Sequence, residues 1–385
     1  MLKTNFNTLV KIQLYKQKLL TKRELTGING INTLLNDLGY IQLDTMNVTA
    51  RSQDIFLWTR ILDYKKSMLL DLYKLDLIFE QYLYALCILP SSSISYLIDT
   101  HSNNKAKLQE DPELDFILDI YNKAKSKKKL QSINSNNKTS SNDAWQVTPT
   151  RNALDKLWRA DLLRVKRDSN FRKVYSLPPE RSNTVENKSE TMLEYFIDKA
   201  FENLGIATIK EAKNYFGLNK KESSKIINGM ISDKKLLPIM INGINDGESH
   251  YIRECDVHLI EKIAQVESEA CTLLTPFDNL LRDRSRVQKL FNVDYRLESY
   301  IPKDKRKFGY FGMPILVGER LVGVIDLKLF RNEKKLQVNK LTLFYPMEKE
   351  FHFKEIGEIL KRFAKFIGAE SIEYPENKEC AYLEV

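Results

Sequence analysis

Cysteine is scarce, with four in 385 residues. Cys87, Cys255, Cys271 and Cys380 stand far apart and form no CxxC pair, which argues against a zinc ribbon and against a disulfide framework. Histidine is equally scarce: His101, His250, His258 and His352 are the four, and they are dispersed. A histidine-built metal centre therefore has no support. The chain has no GxGxxG, Walker loop, HExxH or GxSxG, so dinucleotide chemistry, nucleotide hydrolysis and metalloprotease activity lose their footing. No apolar run approaches the roughly 18 residues that span a bilayer. The first residues, MLKTNFNTLVKIQLYKQKLL, lack a signal-peptide core and a small-residue cleavage site. The expectation is a cytoplasmic monomer that needs no metal or organic cofactor and no membrane.

What is present is a chain of ordinary hydrophobic content, 43%, with a net charge of +9. That content suits a folded protein, and the length suits two to four small domains. A basic balance favours a polyanionic partner: nucleic acid first, an anionic membrane surface second. A generally Lys- and Asn-rich composition explains the same number without any partner.

The periodicities predict an α+β protein: tandem winged-helix domains followed by a small C-terminal antiparallel β domain. Residues 1–121 form an N-terminal winged-helix region. In it Leu9 to Lys18 is amphipathic, and Thr21 with Glu24 fits a capping box. Asn29 or Asn32 caps the next helix, which carries Ile31, Leu34, Leu35 and Leu38 at helical spacing. Gly39 supplies its left-handed stop. Tyr40 to Thr45 then reads as a short strand, and Leu114 to Tyr121 as one more helix. Residues 122–144 are a polar linker; KAKSKKKLQSINSNNKTSSN holds six lysines and no acid. The same run also reads as a basic arm tracking DNA.

Residues 145–185 form a second winged helix, with a helix from Pro149 to Asp161 and a hairpin from Leu162 to Leu177 turning at Asp168, Ser169 and Asn170. Residues 186–256 form a third, with two helices, a strand from Lys234 to Met240 and its return from His250 to Arg253. Residues 257–345 are β-rich, with strands expected at Tyr295 to Ile301, Met313 to Val317, Arg320 to Leu329 and Lys335 to Leu343. Residues 346–385 close with a helix from Phe351 to Ile367 and a weakly ordered tail.

Chemistry concentrates in LGYIQLDTMNVTARSQDIFLWTRI. On a strand Gln42 and Asp44 share one face, about 7 Å apart. An amide and a carboxylate so placed can hold one water: the carboxylate takes its proton or faces a developing cation, and the amide orients it. Cleavage of an N-glycosidic bond passes through an oxocarbenium-like sugar that a carboxylate stabilises. The same spacing also fits two exposed strand residues, with Asp44 capping the next helix.

Basic residues supply candidate phosphate contacts. Lys166, Arg167, Arg172 and Lys173 decorate the second wing. Lys303, Lys305, Arg306 and Lys307 run into Phe308, Tyr310 and Phe311, within a stretch (300–335) that has nine Lys/Arg against four Asp/Glu. Arg282, Arg284 and Arg286 with Asp278 and Asp283 read instead as a structural ion-pair network.

Several blocks together resemble the YcaQ/AlkZ family of DNA glycosylases. LGYIQLDTMNVTAR is similar to the family's QxD segment, here Gln42-Leu43-Asp44. FEQYLYALCILP is similar to its FEYWxHxxxxxP stretch, and ALDKLWRADLLRVKRDSNFRKVYSLPPE to its second winged helix and hairpin. LLTPFDNLLRDRSRVQKLFNVDYRLESYIPKDKRKFGYFGMPIL resembles the block running from LSPFDNLVWDRxR to KRxYGY and PIL. LVGVIDLKLFRNEKKLQV resembles the strand pair that follows. The resemblance implies a monofunctional glycosylase releasing N7-alkylated purines and unhooking interstrand crosslinks from duplex DNA. Asp44 would activate water and stabilise the sugar cation, Gln42 would position water or deoxyribose, and Arg51 would face the DNA. Three positions depart from the pattern. Arg-x-His is Arg51-Ser52-Gln53, the histidine of FEYWxH aligns with Tyr84, and the tryptophan of PFDxLxWDR aligns with Arg282. A non-catalytic winged-helix DNA-binding protein or transcriptional regulator is the second reading, and an assembly protein reusing the scaffold the third.

Overall fold

Ile31, Leu34, Leu35 and Leu38 recur every three to four residues and are all fully buried, on the inner face of a helix spanning Gly27–Leu38. Gly39 ends it at φ 82°, its N–H returning to the Leu35 carbonyl, a conformation a side chain would oppose. The structure, a computed structural model, describes residues 2–127, 130–131, 148–180, 191–218, 220–344 and 349–375. Its contacts divide the chain into two compact units. One comprises Met1–Tyr64, Leu83–Ala85 and Phe196–Val385; the other comprises Lys65–Tyr82 and Leu86–Tyr195. Residues 1–121 thus contribute to both.

In the first unit the strand Leu2–Asn5 pairs in parallel with Leu236–Asn242. Leu236–Asn242 pairs antiparallel with His250–Arg253, which in turn pairs with Ile206–Thr208. Helix Phe6–Lys16 packs on Leu259–Ala264. Helix Ile209–Phe216 starts with a capping box, Thr208 with Glu211, and helix Lys220–Ser232 follows it. The five-stranded C-terminal sheet runs in the order Cys271–Leu273, Met313–Val317, Arg320–Phe330, Lys335–Leu343, Ser371–Glu373. Its first four strands are antiparallel; the last joins in parallel. Helix Lys349–Ile367 packs against the strands Cys271–Leu273 and Met313–Val317.

In the second unit, strands Ile78–Tyr82 and Leu86–Pro90 form a hairpin. Helices Ile98–Gln109, Leu114–Lys127 and Pro149–Arg159 bury Leu108, Ile117, Ile120, Leu154, Leu157 and Trp158 in one core. Thr148 caps the third of these by accepting from the Arg151 N–H, with Pro149 just inside, where its missing N–H costs nothing. The hairpin Arg164–Arg167 with Lys173–Ser176 adds Leu130–Gln131 as a third strand.

Several expectations need correction. Thr21 and Glu24 cap no helix, because tertiary partners take the segment: the Lys22 N–H bonds Glu269, and Arg23 Nη1 donates to the Trp58 carbonyl at 2.7 Å. Asn29 and Asn32 lie inside the helix; its first N–H, that of Gly27, is held by Asp63 Oδ1 at 2.8 Å. Tyr295 to Ile301 is not a strand. Glu298 turns inward there and accepts the Phe308 N–H at 2.6 Å, while the Tyr295 hydroxyl donates to the Gly312 carbonyl at 2.7 Å. Of the expected linker, Lys123 to Lys127 is helical and Leu130–Gln131 is paired. Its remainder, the module start near Trp145 and the tail beyond 375 lie outside the described residues. Among the described residues no helix is long and apolar enough to cross a membrane.

Candidate active site and nucleic-acid interface

Tyr40 and Ile41 are buried and turn the chain from Gly39 into the short strand Ile41–Gln42. Leu43 is buried while Gln42 and Asp44 are half-buried. The alternation expected of the segment therefore holds, although regular pairing stops at Gln42. Asp44 Oδ1 accepts the Met46 N–H at 2.7 Å, an Asx turn that fixes the carboxylate. Its Oδ2 has no hydrogen-bond donor among the described residues. Burial raises the Asp44 carboxyl above its ordinary value; the Met46 N–H opposes this and does not cancel it. The loop that follows is tied to the C-terminal sheet. Arg331 donates to the Asn47 carbonyl at 2.8 Å and to its Oδ1 at 2.9 Å, and the Leu329 N–H reaches the Val48 carbonyl.

Gln42 Oε1 accepts a hydrogen bond from the Tyr84 hydroxyl at 3.1 Å. Its Nε2 has no acceptor among the described residues. Arg51 is half-buried at the N-cap of helix Ser52–Trp58. Gln53 is fully buried, and neither the oxygen nor the nitrogen of its amide meets a hydrogen-bond partner among the described residues.

The basic loop at 303–311 is a built feature. Asp326, on the central strand of the C-terminal sheet, accepts the N–H groups of Tyr310 and Phe311 at 3.1 and 3.0 Å. Glu298 holds Phe308. Arg306 Nε donates to the Ile301 carbonyl at 2.7 Å, and its guanidinium lies over Tyr310. Lys303, Lys305 and Lys307 are exposed on this frame, with Tyr300 95% exposed nearby in sequence. Gly309 sits at φ 98°, where a Cβ would collide with the Asp326 carboxylate. Gly309→Ala is therefore expected to cost about 1–3 kcal/mol through backbone strain. A thermal melt and a DNA titration of the same variant should show lower stability and weaker binding together.

The second wing is different. Arg167 forks onto Glu80 at 2.6 and 2.8 Å, Lys166 pairs with Asp76 at 2.9 Å and Lys173 with Asp155 at 3.3 Å. Burial works against the Arg167 cation, but Glu80 outweighs it and raises the guanidinium above its usual value. Three of the four wing cations thus hold the hairpin to its own unit; Arg172 is exposed and makes no ion pair among the described residues. The acidic partners Glu80, Asp76 and Asp155 carried no signal in sequence order. The ion-pair network expected among Asp278, Arg282, Asp283, Arg284 and Arg286 does not form: among the described residues no two of the five form an ion pair with each other, Arg282 and Arg284 make no ion pair, and the other three take structural partners elsewhere. Asp283 caps helix Arg284–Phe291, Arg286 pairs with Glu211 at 2.8 Å, and Asp278 pairs with Arg60, a residue the pattern did not single out.

The family described as DNA glycosylase AlkZ-like matches residues 35–366. The structure is similar to that of the Streptomyces sahachiroi DNA glycosylase AlkZ, with a TM-score of 0.59 and 13% sequence identity, over 97% of this chain and 100% of that chain. At that identity the structural likeness speaks for the fold. The family match spans most of the sequence, including Gln42, Asp44, Tyr84, Arg282 and the basic loop. On that match, the chain belongs to the AlkZ-like family of DNA glycosylases.

Proposed function

We propose that this glycosylase is monofunctional and releases N7-alkylated purines, including those tied into interstrand crosslinks, from duplex DNA. The observation that carries the reading is Asp44: a half-buried carboxylate with one oxygen fixed by Met46, two residues from an amide held at its oxygen by Tyr84, with the other carboxylate oxygen and the amide Nε2 unclaimed among the described residues. Asp44 accepts the proton of the attacking water and faces the sugar cation. Water oxygen bonds to C1′, the C1′–N9 bond breaks, and the base leaves with the electron pair. An N7-alkylated purine is already cationic, so it departs neutral and needs no strong acid. The structural relative's name, a DNA glycosylase, supports base release from DNA, and the enzyme is taken to act in the cytoplasm, at the nucleoid.

The segments 145–185 and 186–256 are read as winged-helix modules. Helix Pro149–Arg159 followed by a basic hairpin supports the first. Helices Ile209–Phe216 and Lys220–Ser232 followed by the pair Leu236–Asn242 and His250–Arg253 support the second. On the DNA side the loop lysines serve as sequence-independent phosphate contacts, joined by Arg51, Arg172 and Arg306. The protein is taken to act as a monomer.

The test is release of N7-methylguanine from duplex DNA, followed by alkaline cleavage at the abasic site, with an N7-crosslinked duplex in parallel. Release of neither base removes the proposed substrates; tight sequence-specific binding without release favours a non-catalytic DNA-binding role. A companion measurement addresses the interface. Replacing Lys303, Lys305 and Lys307 together with alanine is expected to lower the slope of log affinity against log salt by about 2–3. An unchanged slope removes the loop from the DNA contact.

A further inference from the structure

Two of the three positions that depart from the family pattern meet in the fold. The Arg282 guanidinium lies 3.6 Å from the centroid of the Tyr84 ring. Tyr40 meets the same ring edge-on at 5.7 Å. A Cβ at Gly217 would stand 2.8 Å from the Tyr84 Cβ, so the backbone there also closes on it. The phenol is thus flanked by a cation and an aromatic ring while Gly217 closes on its stem, and its hydroxyl points to Gln42 Oε1. Arg282 makes no ion pair among the described residues, and its Nε is buried without a hydrogen-bond partner. Its charge is spent on the ring.

We infer that Tyr84, stacked beneath Arg282, is a positioning residue that fixes the Gln42 carboxamide so that Gln42 enters the reaction as a hydrogen-bond donor. The inference rests on the glycosylase reading proposed above. A carboxamide has one accepting and one donating end. With Tyr84 donating to Oε1, the donating end, Nε2, is the one left for DNA. It therefore meets acceptors: a deoxyribose or phosphate oxygen, or the lone pair of the water. The proton of that water goes to Asp44 alone. The cation over the ring withdraws electron density from the phenol and strengthens the donation.

The experiment is a double-mutant cycle on single-turnover release of N7-methylguanine, using Tyr84→Phe, Gln42→Ala and their combination, with DNA affinity and melting temperature measured for each. Tyr84→Phe is expected to slow release about tenfold with affinity unchanged, the cost of one hydrogen bond held near a charge. In the Gln42→Ala background it is expected to cost nothing further. Arg282→Met is expected to slow release about threefold, again only while Tyr84 and Gln42 are both present. Equal loss with or without Gln42, or a loss of affinity in place of rate, overturns the inference, since a purely structural tyrosine behaves that way. If the unaltered protein releases no base, the reaction reading fails by itself. The side-chain amide protons of Gln42, followed by NMR with ¹⁵N-glutamine, then decide the contact: a shift on Tyr84→Phe upholds it, and no shift removes it.

Discussion

Asp44→Asn is expected to slow release of N7-methylguanine by about 10²–10⁴-fold, the range for removing a positioned proton acceptor, while leaving DNA affinity near that of the unaltered chain. The substitution suits the purpose because asparagine keeps an oxygen to accept the Met46 N–H, so the turn survives. It removes only the charge and the basic site. Stability should not fall either. Burial raises the Asp44 carboxyl above the ordinary 3.8, so the folded protein binds this proton more tightly than the unfolded chain does. The contribution of such a group is most favourable at low pH and declines as pH rises through the raised value. At neutral pH the charged form is the disfavoured one, and the amide relieves that cost. A thousandfold loss of activity with an equal or higher melting temperature is the expected pair of results. If Asp44→Asn releases base at the unaltered rate, Asp44 has no part in the chemistry.

The same shift sets the pH profile. The reaction needs the carboxylate, so the rate falls as pH drops through the raised Asp44 value. The acid limb of single-turnover release should therefore be centred above 3.8 and vanish in Asp44→Asn. A limb at or below that point contradicts the role given to burial. Residues such as Asp283 move the opposite way. Burial alone would raise Asp283, but hydrogen bonds from Asn214, Ser285 and the backbone of the next helix outweigh it. The limb can thus be told apart from the titration of Asp283 by its direction, and from that of Asp198, which burial also raises, by its disappearance in Asp44→Asn.

Local patterns were legible where one element could satisfy itself. Helix Gly27–Leu38 has its apolar face and its glycine stop within fourteen residues, and strand Met313–Val317 is a continuous apolar run between glycines. Gln42 and Asp44 stood out for the same reason, as polar residues alternating with buried ones. What escaped the sequence depends on partners far away along the chain. Leu2–Asn5 becomes a strand because Leu236–Asn242 lies beside it, and Ser371–Glu373 because Lys335–Leu343 does. Thr21 and Glu24 had every local mark of a cap, yet Glu269 and the Trp58 carbonyl claimed that segment. The family resemblance read from ordered motifs agrees with the match over 35–366, but it presented Tyr84 and Arg282 as unrelated departures. Only the stacking distance joins them.

Arg60 gives the largest stability effect and shows how the site depends on such distant contacts. Its side chain and that of Asp278 are both fully buried, and they pair through two hydrogen bonds of 2.9 Å. The guanidinium also donates to the Gln17 carbonyl at 2.9 Å and to Thr59 Oγ1 at 2.8 Å, and it lies over Phe56. Arg60→Met strands a buried carboxylate and Asp278→Leu strands a buried guanidinium; each is expected to cost about 3–5 kcal/mol. Removing both leaves no unpaired charge, so Arg60→Met/Asp278→Leu should recover much of that loss. Denaturant midpoints of the three variants check the pattern, and equal costs for the double and the summed singles would mean the pair is not coupled. Activity should follow the same order. Asp278 opens the turn carrying Asn279, whose Nδ2 holds the Tyr40 carbonyl at 3.0 Å, and Tyr40 both packs on Tyr84 and leads directly into Ile41 and Gln42. A stranded charge at 278 in Arg60→Met, or at 60 in Asp278→Leu, therefore loosens the strand that presents the amide; the apolar pair removes that charge and, at the turn, leaves only the Leu280 N–H without its acceptor. Release by the double variant should exceed release by either single variant at temperatures where all three remain folded.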